Sequence, residues 1–201
     1  MSQNFNELQK KRRSIYVIGK NVAVNKQEIV ELVKNVVRES PSSFNSQSSR
    51  VVVLFGDDHE KLWNIALDEL RKIVPADAFA ATEQKVNGSF KAGFGTVLFF
   101  EDQDVVKGLQ EKFPTYADNF PVWSEQASGM AQYAVWLALA EKEIGATVQH
   151  YNPLIDQAVA STWGIPASWK LRSQMPFGSI EAPAQAKTYM DDDARFKVFL
   201  G

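Results

Sequence analysis

The stretch from Ser124 to Glu143 has the length of a long helix, and its centre, Met130 to Ala140, is apolar nearly all round. Met130, Ala131, Tyr133, Ala134, Val135, Trp136, Leu137, Ala138 and Leu139 leave almost no polar stripe. A helix apolar on every side has to be buried on every side. One domain of 201 residues can barely surround such a helix. Two copies packing helices across a two-fold axis surround it easily. The length of 201 residues implies a single domain over residues 1–201, and the stretch implies an obligate homodimer.

The rest of the composition is that of an ordinary globular chain. The net charge of -2 gives no electrostatic case for nucleic acid or an anionic membrane. The absence of cysteine excludes disulfides, thiolate ligands and cysteine nucleophiles together. With His59 and His150 the only histidines, a multi-histidine metal site is not expected. Met1 to Lys10 is polar, without the apolar centre of a signal peptide, and no apolar run is long enough to span a bilayer. The expected location is the cytoplasm. No Walker-type loop is found, and Gly93-Phe94-Gly95 is followed by an apolar strand instead of the helix a dinucleotide fingerprint needs.

Helix signals cover Asn4 to Arg13, Glu28 to Arg38 behind a capping box at Asn25, and Leu62 to Ile73 after Asp57 and Glu60. They continue over Ala78 to Val86, Asp102 to Phe113, Ser124 to Glu143 with Gly145 as its stop, and Leu154 to Trp163. Val51 to Phe55 and Thr96 to Phe100 read as buried strands, and Ala146 to His150 and Lys170 to Met175 as further strands. Turns are expected at Asn152-Pro153 and Pro176-Phe177-Gly178. Tyr116 to Trp123 reads as a loop with an apolar side, either pinned to the core by its rings or covering a substrate as a lid. Glu181 to Asp193 is irregular, and Arg195 to Phe199 alternates like an edge strand or extended arm. The pattern gives an α+β fold or a three-layer sandwich.

Two polar stretches admit more than one reading. Pro41-Ser42-Ser43-Phe44-Asn45-Ser46-Gln47-Ser48-Ser49-Arg50 either caps the elements it joins or forms a hydrogen-bonding edge for a planar ligand. Lys10-Lys11-Arg12-Arg13 is either a solvated charge run or an anion site, since guanidinium groups bind phosphate in a bidentate fork.

Four separated stretches together resemble the flavin-dependent nitroreductase family, in its compact branch of bacterial copper-induced and yeast fatty-acid-repression-type proteins. They are Arg12-Arg13-Ser14-Ile15-Tyr16, Ser40 to Arg50, Gly145 to Pro153, and Arg195-Phe196-Lys197. The resemblance spans essentially the whole chain. It implies a three-layer α/β/α sandwich with a mainly antiparallel central sheet, in an intertwined homodimer with FMN at the subunit interface. It assigns Arg12, Arg13, Ser14, Arg195 and Lys197 to the FMN phosphate and ribityl chain. A near-dianionic phosphate needs such charge-assisted donors. Pro41, Ser42, Ser43, Asn45 and Gln47 would border the ring from the other subunit. Tyr151 or its neighbour would give a backbone N–H to flavin N5, with Gln149 and His150 lining the ring; a lone His150 also reads as structural. Many members carry a basic residue near flavin N1 where this chain has Tyr16, and Lys85 could supply that charge or be an ordinary surface lysine.

The implied activity is reduction of nitroaromatic or quinone-like acceptors by NAD(P)H, in a ping-pong cycle with hydride passing through flavin N5, in a stress-response setting. No catalytic side chain and no metal are assigned. Tyr116, Phe120 and Trp123 are candidates for a substrate lid. The alternatives are a flavin-binding redox regulator or carrier without a dedicated substrate, and a nucleic-acid-binding or scaffold protein built on Lys10 to Arg13.

Overall fold

The computed structural model describes residues 4–201. The first three residues of the polar N-terminal segment lie outside the described residues. The chain runs α1 (Phe5–Lys11), β1 (Ile18–Gly19), α2 (Lys26–Glu39), a 3-10 turn (Ser43–Asn45), β2 (Ser49–Phe55), α3 (Gly56–Arg71) and α4 (Ala76–Val86). A π turn (Asn87–Lys91), β3 (Gly95–Asp102), α5 (Gln103–Lys112) and a 3-10 turn (Pro114–Tyr116) follow. The chain ends with α6 (Phe120–Glu141), β4 (Ile144–Ala146), α7 (Asp156–Trp163), β5 (Trp169–Ile180) and α8 (Asp192–Arg195).

The strands lie in the order β1-β5-β3-β2, all neighbours antiparallel, with β4 also paired to β5. Because strand side chains alternate, β3 feeds two cores. Leu98 and Phe100 join Leu62, Trp63 and Ala66 of α3, Val86 of α4 and Val159 of α7 on one face. Val97 and Phe99 join Ile29 and Val33 of α2 and Val135 and Leu139 of α6 on the other. Helices on both faces of one antiparallel sheet make the expected α+β three-layer sandwich.

Local chemistry explains the boundaries. The Asn25 side chain accepts from the Glu28 amide at 2.9 Å, capping α2, and Ser40 leaves helical space ahead of Pro41. Several boundaries differ from the sequence reading. Helix α6 starts at Phe120 instead of Ser124, because Pro121 in the first turn lacks only an N–H that would be unpaired there anyway. Most of the expected 116–123 loop is therefore helix or turn. Glu143, with φ 59°, turns the chain out of α6, and Gly145 lies in β4. Pro176-Phe177-Gly178 is strand, since β5 runs through to Ile180. Past Ala146 the expected strand is reduced to a single bridge between Gln149 and Gln174. Arg195 ends a four-residue helix, and Phe196 to Phe199 pairs with no strand among the described residues.

The long helix is not buried on every side within one chain. Ala131, Val135, Leu137 and Leu139 are buried, but Met130 is 44% and Val122 55% exposed. Met130 and Ala134 of α6 line an open groove of about 390 Å³ with Val36 and Pro41.

Candidate functional site

Segment 12–16 is stitched to the sheet by its backbone. Ser14 bridges Ala146 of β4, and the Ile15 amide donates to the Ala146 carbonyl at 3.0 Å. Buried Ile15 anchors the segment, while Tyr16 on the far side is 48% exposed. Two adjoining cavities open beside it, of about 470 and 410 Å³. Arg12, Arg13 and Lys187 line both, and Ser14 and Tyr16 line the larger.

The guanidinium of Arg12 lies 4.2 Å from the Trp136 ring centroid and 5.9 Å from that of Tyr133, so α6 fixes it by cation–π contact. Its Nε is buried and makes no hydrogen bond. A buried charged donor without a partner is expensive. The group that relieves it has to be an acceptor, and with Arg13 and Lys187 alongside, an anionic one. Arg13 Nη2 donates to the Gln185 carbonyl at 2.7 Å, holding residues 182–187 over the cavity as a strap. A phosphate ester fits this donor set.

Arg195 and Lys197 line neither cavity; both are exposed, and the Arg195 guanidinium lies 5.5 Å from the ring of Phe196 beside it. The cation from the C-terminal part of the chain that lines both cavities is Lys187. No periodicity or motif marks Lys187 within its irregular polar stretch, so the sequence offered no signal for it.

Beyond Ala146 the same backbone leads to Gln149, His150 and Tyr151. Gln149 and Gln174 exchange backbone hydrogen bonds at 2.7 and 2.9 Å, and Gln149 Nε2 donates to Thr147 Oγ1 at 3.1 Å. His150 is exposed. The Tyr151 ring packs inward, its centroid 5.9 Å from Trp63 and 6.2 Å from Phe90, and burial pushes its phenol pKa up. Lys85 is exposed at the end of α4, with Nζ 5.9 Å from the Phe90 ring, and so stands near the Tyr151 side of this loop. The fold thus brings the first and third sequence stretches together on β4.

The second stretch lies apart from them, against α6. Phe44, Asn45 and Gln47 all have φ between 50° and 56°, left-handed positions on either side of a right-handed Ser46 that cost about 1 kcal/mol or more per non-glycine residue. Ser42 Oγ accepts from the Gln47 amide at 2.9 Å, and Phe44 packs on Phe113 and Phe120 at 4.7 and 5.5 Å. This puts the expected lid aromatics to use: Phe120 is buried, and Tyr116 sits 6.4 Å from Phe44. Pro41, Asn45 and Gln47 stay exposed, while Ser42 and Ser43 are half-buried.

Behind the loop, Glu101 is fully buried and accepts from Ser48 and Ser124 hydroxyls at 2.6 Å each, and from Ser49. Asp102 pairs with Arg50 at 3.0 Å. Arg172, which pairs with Glu125, has its pKa lowered by burial, an effect that the charge of Glu101 opposes.

Among the described residues, no group of acidic or histidine side chains is set to hold a metal ion, and no helix is long and apolar enough to cross a membrane.

The sequence profile of the Nitroreductase family matches residues 10–179. HBN1 of Saccharomyces cerevisiae is 35% identical over 184 residues, covering 90% of this chain and 91% of its own. The structure is similar to nitroreductase CinD from Lactococcus lactis in complex with 4-nitrophenol, at 55% identity and a TM-score of 0.88, over 98% of this chain and 100% of that one. CinD in complex with chloramphenicol gives 0.89, and in complex with nicotinic acid 0.85, with the same coverage. With its profile match over most of the length and its sandwich architecture, this chain belongs to the nitroreductase family.

Proposed function

We propose that this protein is an FMN-dependent reductase that draws electrons from NAD(P)H and passes them to nitroaromatic or quinone-like acceptors. The observation that carries the reading is the cavity lined together by Arg12, Arg13 and Lys187, with Arg12 holding an unpartnered, buried Nε behind it. These groups would hold the FMN phosphate. Ser14 and Tyr16 would line the ribityl side, and the 149–151 loop would face the ring edge. FMN, when bound, supplies the hydride chemistry. The chain's part is to bind, orient and leave one ring face open to donor and acceptor in turn, a ping-pong order needing alignment instead of a side-chain nucleophile. The CinD complexes support both halves of the cycle: 4-nitrophenol and chloramphenicol on the acceptor side, nicotinic acid on the side of the nicotinamide ring.

The working unit proposed is a homodimer. One chain leaves both an apolar groove at Met130 and an apolar tail, with Val198 72%, Phe199 92% and Leu200 94% exposed. A second copy offers cover for both. In that arrangement residues 41–47 border the partner's ring, and the tail carries Arg195 and Lys197 into the assembly. The cytoplasm, where free thiols would be kept reduced, suits a chain without cysteine.

The test is the visible absorbance of the purified protein under anaerobic conditions. A flavin spectrum is expected, bleached by NADH or NADPH and restored by a nitroaromatic. A flavin that stays oxidised with both nucleotides would leave a binding protein instead of a reductase. A colourless protein that takes up no offered FMN would end the proposal.

A further inference from the structure

We propose that Gln174 is a positioning residue that turns the His150 amide, and not that of Tyr151, toward the redox ring. The inference rests on the FMN reading above. Gln174 is fully buried in β5. Its backbone N–H donates to the Gln149 carbonyl at 2.9 Å, and its own carbonyl accepts from the Gln149 amide at 2.7 Å. Its side-chain Oε1 accepts from the Tyr151 amide at 2.7 Å, and its Nε2 reaches Asn152 Oδ1 at 3.4 Å. One residue therefore engages the amides on both sides of His150.

In an extended segment successive residues face opposite ways. Drawing Gln149 and Tyr151 onto Gln174 turns the amide between them outward. His150 is exposed, and its amide takes part in none of the hydrogen bonds of this loop. The Tyr151 amide is already satisfied within the chain, and its ring is held in the core by Trp63 and Phe90. Of the two candidates, only His150 keeps a backbone donor free for an outside acceptor. Glutamine suits the task because it offers an acceptor without bringing a charge into the core. An isosteric methionine would keep the volume and free the Tyr151 amide to compete.

Residue-resolved amide hydrogen exchange on the flavin-loaded protein tests this. Wild-type protein is loaded with FMN or with 5-deaza-FMN, whose ring carries C–H where FMN has the acceptor nitrogen N5. The expected result is a roughly tenfold or greater rise in His150 exchange with the deaza analogue, with Tyr151 unchanged. In Gln174→Met the Tyr151 amide is expected to lose a similar factor of protection and the bound flavin's reduction potential to shift. Gln174→Glu, which keeps the acceptor, is expected to restore Tyr151 protection. A residue that only supported β5 would leave the potential unmoved in any variant that keeps its flavin. The inference is overturned if the analogue speeds Tyr151, or neither amide, or if Gln174→Met leaves Tyr151 protected. The analogue arm uses unaltered protein, so a variant that fails to fold does not remove the test. Failure to take up either flavin would sink the cofactor reading itself, a result distinct from a bound flavin with an unchanged His150.

Discussion

His59 shows how far one buried side chain can tie stability to pH. It is 1% exposed, with Nε2 3.1 Å from the Lys91 carbonyl and Nδ1 2.8 Å from Thr96 Oγ1. A carbonyl only accepts, so Nε2 carries the proton and Nδ1 accepts from the threonine hydroxyl. Thr96 Oγ1 in turn accepts from Trp63 Nε1 at 3.1 Å. Protonating Nδ1 would strip Thr96 of its acceptor and place a charge in the core. Burial accordingly pushes the pKa from the ordinary 6.5 down to about 4. Above 6.5 both folded and unfolded states hold a neutral ring, and the contribution is fully present. As pH falls from 6.5 toward 4 the unfolded chain binds the proton first, and the native state loses roughly 3 kcal/mol; below 4 the loss levels off. Urea unfolding at a series of pH values should show that decline in wild type. In His59→Gln the decline over this window should be smaller by about the same amount.

The pairing of β1 with β5 is the element on which the proposed anion cradle hangs, since β1 continues directly from segment 12–16. The two strands meet so closely that a Cβ on Gly178 would lie 2.2 Å from the Gly19 carbonyl oxygen. Backbone cannot yield there without parting the strands. Gly178→Ala is expected to lower stability by about 3 kcal/mol and to reduce the flavin content of the recovered protein. Gly108→Ala in α5, where an added Cβ meets nothing within 4 Å, should gain up to about 1 kcal/mol. Urea midpoints of the two variants would give the opposite signs. At this scale most of the sequence was legible. The capping box at Asn25 and the apolar periods of α2, α3 and α6 placed the helices, and β-branched runs placed β2 and β3. The first turn of α6 looked like loop because Pro121 was read as a breaker, although a first-turn proline starts a helix well. Pro176 lies inside β5, where its carbonyl accepts from the Thr147 amide. Of the candidate site, the Arg12–Tyr16 and Gln149–Tyr151 segments were legible as candidates, and the fold brings them to the same strand, β4. Gln174 and Glu101 were not, because each acts through partners far away in sequence, and Lys187 was not, because only the fold brings it beside Arg12 and Arg13.

For the whole molecule, the apolar circumference of α6 asks for more surface than one chain supplies. Met130 lies at the open edge and contributes little to this chain's core, so Met130→Asp tests assembly more than folding. Sedimentation is expected to show a dimer for the wild type and a monomer for the variant, with retained helical content and a large loss of bound flavin. A monomeric wild type that nonetheless holds FMN would remove the shared-site arrangement. The alternation at Arg195 to Phe199, which read as an edge strand or an extended arm, finds no ladder among the described residues. An arm that meets its contacts on another copy produces the same pattern, and a single sequence cannot separate the two.

The carboxylate of Glu101 reaches in two directions at once, to Ser124 on α6 and to Ser48 and Ser49 at the root of the left-handed loop. The helix that would face a second copy and the loop that would meet that copy's ring therefore share one anchor. Linked equilibria are reciprocal, so whatever factor ring occupancy adds to subunit affinity, subunit contact returns to ring affinity. In the proposed dimer, dilution and flavin depletion would be two routes to the same dissociated state.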